Sequence, residues 1–391
     1  MKHFTFLLYF FLLEIPFVFS QEKSYEINNT IVNSIPENVT IVGLGDPTHQ
    51  ESTITKYRID LIKKMVKEKE FKVIAIEGNM YEFYKAHQLF IKDKDISHYE
   101  KAMYRMLNAK EMEELYSFIY TENKKGNELQ FIGFDPAFSG VSFAQNIAED
   151  LEGITSLSQE EKDDFIKYIK KANIVSLKAL FRNNKKVKEK IVFYSEKILA
   201  TFNPKTQNDY FFSEALKNMI FLFTNDPEIV TYGANKRDIG MALNVDFIQS
   251  QFPNEKIILF GSSTHLLKNP NAIEGAFFQN NRITFGHKLS EKFKSNYFYI
   301  AYTALSGTKY NYLNKNKPKH IPEAAENSIE YKINQEFKAP AVYITKETDY
   351  PMDKVLASRF MGHSFLTLQL WEVMDALVLI KEVESFEIKK L

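Results

Sequence analysis

Two histidines close the same five-residue pattern in widely separated parts of the chain. VTIVGLGDPTH runs from Val39 to His49 and KIILFGSSTH from Lys256 to His265, and both end in G-x-x-T-H. The residues before the glycines, Thr40–Val42 and Ile257–Phe260, are β-branched or aromatic and predict buried strands. A glycine at the end of such a strand lets the backbone turn, so the polar residues after it fall on the rim of the sheet. An imidazole takes or gives a proton near neutral pH, and two on one rim suit acid–base chemistry.

Acids fall at the same kind of position. Asp46 precedes His49, Glu77 directly follows the apolar run FKVIAI, and Asp135 ends FIGFD. An acid after a strand also caps helices and forms turns, which is the plainer reading of Asp46 and Asp135. Glu77 sits where it should be partly buried, and a buried carboxylate needs a partner. Two arginines supply candidates. Arg58 is four residues from both Ile54 and Ile62, inside the apolar stripe of its helix, and Arg237 shares a face with Met241, Val245 and Ile248. Their alternative is a structural ion pair or a snorkelling side chain. His87, His98, His287, His320 and His363 lack an acid in this strand-end register and are treated as ordinary residues.

The elements that must position these groups alternate. Strands at Thr40–Val42, Phe71–Ile76 and Leu129–Phe134 are separated by helical patterns over Glu51–Glu70, Met80–Ile91 and Lys110–Asn123. Near-continuous apolar strands in β-α-β order imply a mostly parallel central sheet flanked by helices, an α/β fold. From about 139 to 230 the strand signal stops, which predicts an all-helical insertion containing a Ser158–Glu161 capping box. A helix over Gly233–Gln251 leads back to the second histidine strand. Further strands are predicted at Tyr297–Tyr302, Ala341–Ile344 and Ala376–Ile380, with a long surface loop over Ser306–Ser328.

Composition narrows the function classes. Residues 1–20, MKHFTFLLYFFLLEIPFVFS, pair a weakly basic start with a short apolar stretch interrupted by Glu14 and Pro16. They predict a cleaved signal peptide and an exported chain, periplasmic or secreted, with no stable membrane span afterwards. The 391 residues hold no cysteine, which excludes disulfides, thiol nucleophiles and thiolate metal sites. Lys plus Arg and Asp plus Glu both number 50, so nothing points to nucleic acid as a partner. The absence of a G-x-S-x-G elbow disfavours a serine nucleophile.

The run GLGDPTHQESTITKYRIDLIKKMVKEKEFKVIAIEGN, Gly43–Asn79, resembles the opening of the erythromycin esterase family. There a strand ends in G-E-x-[TS]-H-G, an Arg follows nine residues after the His, and a Glu follows a second strand; His49, Arg58 and Glu77 keep those intervals. FIGFD, RDIGMALNV at Arg237–Val245, KIILFGSSTHL and MDALVLI at Met374–Ile380 resemble later family segments in the same order. Three positions depart from the pattern. Asp46 stands for the family Glu, Gln50 for the Gly after the first His, and Ser262 for the first His of H-N-x-H, leaving His265 as the second.

The resemblance implies hydrolysis of a small-molecule carboxylic ester, in the named enzymes a macrolactone, with antibiotic resistance as the associated trait. In that reading His49 is the general base for water, Glu77 holds its tautomer with Asp46 assisting, and Arg58 or Arg237 offsets charge on the carbonyl oxygen. His265 completes the catalytic set, and Ser262 and Asp135 are substrate-binding candidates. No cofactor is required. A second reading gives Asp46, His49, Glu77 and His265 to a divalent cation such as zinc or manganese. A third, motivated by Ser262, is a secreted binding protein on the same fold without activity. Nothing in the sequence fixes the oligomeric state.

Overall fold

The computed structural model describes residues 26–387 except 104–107, 139, 174–184, 225–232, 276, 279–280, 312–313, 315–316 and 349–354. The signal peptide expected over 1–20 lies outside these residues, as do parts of the 139–230 segment.

The central layer is built from β1 (Ile41–Asp46), β2 (Phe71–Asn79), β3 (Gln130–Asp135), β4 (Lys256–Ser262), β5 (Tyr297–Lys309), β6 (Lys319–His320), β7 (Ala341–Thr345) and β10 (Ala376–Val383). Their order is β3-β2-β4-β1-β5-β10-β7, with β6 on the far end of β5. Every pairing is parallel except those of β7 and β6. A separate antiparallel pair, β8 (Leu356–Ser358) and β9 (Leu366–Leu368), lies off this sheet.

Successive strand side chains point to opposite faces, and apolar residues fill both. Ile41, Val73, Ala75, Ile132, Ile257 and Leu259 enter one core; Val42, Leu44, Ile74, Ile76, Phe131 and Ile258 enter the other. Helix α1 (Ser52–Lys69) buries Ile54, Leu61, Ile62 and Met65 in the second core. After α2 (Met80–Asp93), α3 (Ser97–Ala102) and α4 (Met112–Lys124) come α5 (Phe143–Leu151), α6 (Gln159–Ala172), α7 (Lys185–Leu199) and α8 (Gln207–Phe223). The last four bury Ile147, Phe165, Ile191 and Phe212 in the first core, each such side chain contributing about 1.5–3 kcal/mol. The Ser158–Glu161 capping box starts α6. Helix α9 (Gly233–Gln251) covers the same face, and α10 (Ser263–Leu266), α11 (Phe285–Phe293), α12 (Ile329–Glu336) and α13 (Leu370–Val373) follow it along the chain.

One expectation is corrected. The loop anticipated from Ser306 begins only after Lys309, because β5 continues past its apolar part. Ser306 and Gly307 pair with Glu382 and Val383, and Thr308 with His320. Backbone pairing at polar residues leaves no hydrophobic period to read.

Candidate active site

The repeated sequence pattern is also a structural pair. Strands β1 and β4 lie side by side in parallel register, with Gly45 opposite Gly261 and Asp46 opposite Ser262. Their histidines therefore leave the sheet at the same edge. His49 holds a left-handed backbone, φ 59°, and folds back onto its own strand. Its Nδ1–H donates to the carboxylate of Asp46, with the two oxygens 2.7 and 2.8 Å away, and its backbone N–H donates to Oδ1 at 3.1 Å.

Arg58 lies beneath this pair, fully buried. It donates to Asp46, to the Leu44 carbonyl at 2.6 Å and to the Gly261 carbonyl at 3.0 Å, and it stacks on Phe260 with 3.5 Å to the ring centre. The guanidinium thus ties β1 to β4. It is closed off from solvent, so of the two arginines expected at a carbonyl oxygen only Arg237 is exposed.

Glu77 is the hub. Its Oε2 accepts the Ser262 backbone N–H at 2.8 Å and faces His49 Nε2 at 3.4 Å. Its Oε1 accepts Arg237 Nη2 at 3.1 Å and faces His265 Nε2 at 3.5 Å. One carboxylate therefore stands between the outward nitrogens of two imidazoles. His265 is anchored as His49 is, through Nδ1, to Asp238 Oδ1 at 2.7 Å. Asp238 is fixed in turn by Arg282 at 2.7 Å and by the Phe285 N–H at 3.0 Å. The expected division around His49 is reversed: Asp46 holds Nδ1, and Glu77 sits at Nε2.

Exposure separates the groups that can touch a ligand from those that hold them. The Arg237 side chain is 32% exposed and His49 and His265 each 13%, whereas Glu77 is 8%, Asp46 3% and Asp135 and Asp238 0%. Asp135, a substrate-binding candidate by sequence, instead holds Arg237 with contacts of 2.5 and 3.0 Å and accepts the Ala137 N–H. Ser262 serves mainly through its backbone N–H, while its hydroxyl caps α10 at the Thr264 N–H.

The electrostatics differ at the two imidazoles. Burial alone would push the His49 proton off, but Asp46 and Glu77 outweigh it and raise His49 from 6.5 to about 10. Glu77 is lowered well below its ordinary range: burial opposes this, and His265, His49 and Arg237 overcome it. Asp46 is likewise lowered, against burial, by His49 and Arg58. Both carboxylates thus favour the protonated form of His49. At His265, Arg237 Nη1 lies 3.1 Å from Nε2. His265 Nε2 thus lies between a guanidinium and a carboxylate, while its Nδ1 faces Asp238.

The same contact bears on the metal reading. Both Nδ1 atoms are engaged by aspartates, and Arg237 puts a fixed positive charge beside His265 Nε2 and Glu77, where a cation would have to sit. Among the described residues no group of three or more His, Cys, Asp or Glu side chains is arranged to hold a metal ion. The residues fit a divalent cation poorly.

Sequence reasoning brought together Asp46, His49, Arg58, Glu77, Asp135, Arg237, Ser262 and His265, and all lie at this edge. It missed Asp238 and Arg282. Asp238 directly follows Arg237, and that adjacency at the head of a helix pointing to the strand ends was the available signal.

This architecture, a mostly parallel sheet flanked by helices, is shared with known proteins. The sequence profile of the erythromycin esterase family matches residues 66–383, and the chain belongs to that family of hydrolases. The match begins within α1, after His49 and Arg58. A Bacillus subtilis (strain 168) protein named as a hydrolase, YbfO, is 22% identical, covering 88% of this chain and 81% of its own. A mutant of the erythromycin esterase EreC in its open conformation superposes with a TM-score of 0.69 at 18% identity, over 94% of this chain and 95% of that one. A Bacillus cereus protein (TM-score 0.72, 18% identity, 90% and 91% covered) and a succinoglycan biosynthesis protein (0.73, 17%, 90% of each) share the fold.

Proposed function

We propose that the chain hydrolyses a neutral carboxylic ester, macrolactones included, by direct attack of water between His49 and His265. The observation that supports this reading is the convergence of both Nε2 atoms on the two oxygens of Glu77. His265 takes the proton of the attacking water at Nε2 once Arg237 leaves that nitrogen for the carbonyl oxygen. His49 carries a proton already and gives it to the departing alkoxide. Paired groups whose surroundings drive their protonation apart are a recurrent acid–base arrangement. Arg237 offsets charge growing on the carbonyl oxygen, a role typically worth about 10²-fold or more.

Charge balance supports a neutral substrate. The carboxylates of Asp46, Glu77, Asp135 and Asp238 meet the guanidiniums of Arg58, Arg237 and Arg282 and the His49 imidazolium. Four charges of each sign leave no excess to recruit an anion. The test is turnover of aryl esters and macrolactones by wild type, His49→Ala and His265→Ala. Loss of about 10²-fold or more in each variant supports the reading; equal rates in all three, or none in wild type, defeat it.

A further inference from the structure

A further acid–histidine pair, fully buried, lies beside the His49 loop. Glu51 and His363, 312 positions apart, meet at 2.5 Å between Oε1 and Nε2, and each side chain is 1% exposed. Neither can touch a substrate. Glu51 also accepts the Thr48 hydroxyl at 2.5 Å and the Gln50 N–H at 3.2 Å. Thr48 and Gln50 flank His49, so one carboxylate grips the chain on both sides of the left-handed residue that carries the imidazole.

The turn bearing His363 grips the same loop again, through the Gly362 N–H donating to the Pro47 carbonyl at 2.9 Å. Gly362 and His363 are both left-handed, φ 64° and 57°, and buried Phe360 and Met361 anchor the turn in the core. A non-glycine residue held at positive φ persists only where its surroundings over-determine it. His49 is such a residue, and its surroundings are this clamp.

We propose that His363 is a positioning residue: acting through Glu51, it locks the Pro47–Gln50 loop so that His49 keeps Nδ1 on Asp46 and Nε2 on Glu77. The catalytic half of this inference rests on the ester-hydrolase reading; the structural half does not.

The test compares His363→Leu, which loses the donor to Glu51, with His363→Gln, which keeps one, following the His49 ring Cε1–H signal by NMR together with kcat and KM. His363→Leu lowers the His49 titration midpoint by a pH unit or more and lowers kcat about tenfold with KM within twofold. His363→Gln restores both. If His363→Leu does not fold, Glu51→Gln, which weakens the same grip, is read for the same shift. An unchanged His49 midpoint in the readable variant, or a Gln variant no better than Leu, overturns the proposal. Should wild type turn over no ester, the hydrolase reading fails while the NMR comparison still decides the clamp.

Discussion

Replacing Glu77 by Gln removes the negative charge 3.4 Å from His49 Nε2 while leaving Asp46 on Nδ1. At an effective dielectric of about 20 that attraction is on the order of 5 kcal/mol. At about 1.4 kcal/mol per pH unit this caps the change at about 3–4 units. Water admitted around the imidazolium returns part of it, so a fall of about 1–3 units is expected. The sign follows from the charge: a carboxylate stabilises the protonated ring, so its loss lowers the pKa. His49 moves from about 10 to between about 7 and 9. Because His49 acts in its protonated form, the alkaline limb of kcat moves to lower pH by the same interval. The assay pairs the NMR titration of the ring Cε1–H signal with kcat against pH for one aryl ester. A wild-type His49 titrating near 6.5, or a midpoint unmoved in Glu77→Gln, refutes the reasoning.

Other perturbations separate the groups that hold the site from those that react. Arg58→Met removes one of the two cationic partners of the buried Asp46 carboxylate, leaving it to His49, and frees the Leu44 and Gly261 carbonyls; it costs about 2–4 kcal/mol of stability, read from urea unfolding, and a loss below about 1 kcal/mol contradicts the structural role. Arg237→Gln keeps a neutral donor but removes the charge, so kcat falls about 10²-fold while KM for a neutral ester changes little; an unchanged kcat refutes its assignment. Dialysis against a strong chelator leaves the rate unchanged, and a loss restored by added zinc or manganese would reinstate the cation.

The fold was legible where hydrophobicity alone decides structure. FKVIAI and KIILF are buried on both faces of a parallel sheet, and uninterrupted apolar runs bounded by glycine say so directly. The site was legible because the fold sends consecutive strand ends to one edge, so Asp46, His49, Glu77 and His265 had to be neighbours once β1 and β4 were adjacent.

What escaped was set by contacts across long sequence separations. Which nitrogen of His49 meets Asp46 depends on its left-handed backbone, which a histidine does not advertise. Arg58 stayed open between an ion pair and a catalytic group because an arginine on an apolar stripe reaches either a buried acid or a cleft, and the sequence does not choose between them. Asp238 beside Arg237 has the pattern of an exposed helical pair until Arg282 arrives from another segment. His363 meets Glu51 only after the turn following β8 closes over the Pro47–Gln50 loop.

A single turnover of enzyme in excess over ester, run in water enriched in the heavy oxygen isotope, distinguishes water attacking the carbonyl from the carboxylate of Glu77 attacking first. With His265 activating water directly, the acid formed in the first turnover carries the heavy label from solvent. An unlabelled first acid, its new oxygen drawn from the protein, would contradict the mechanism.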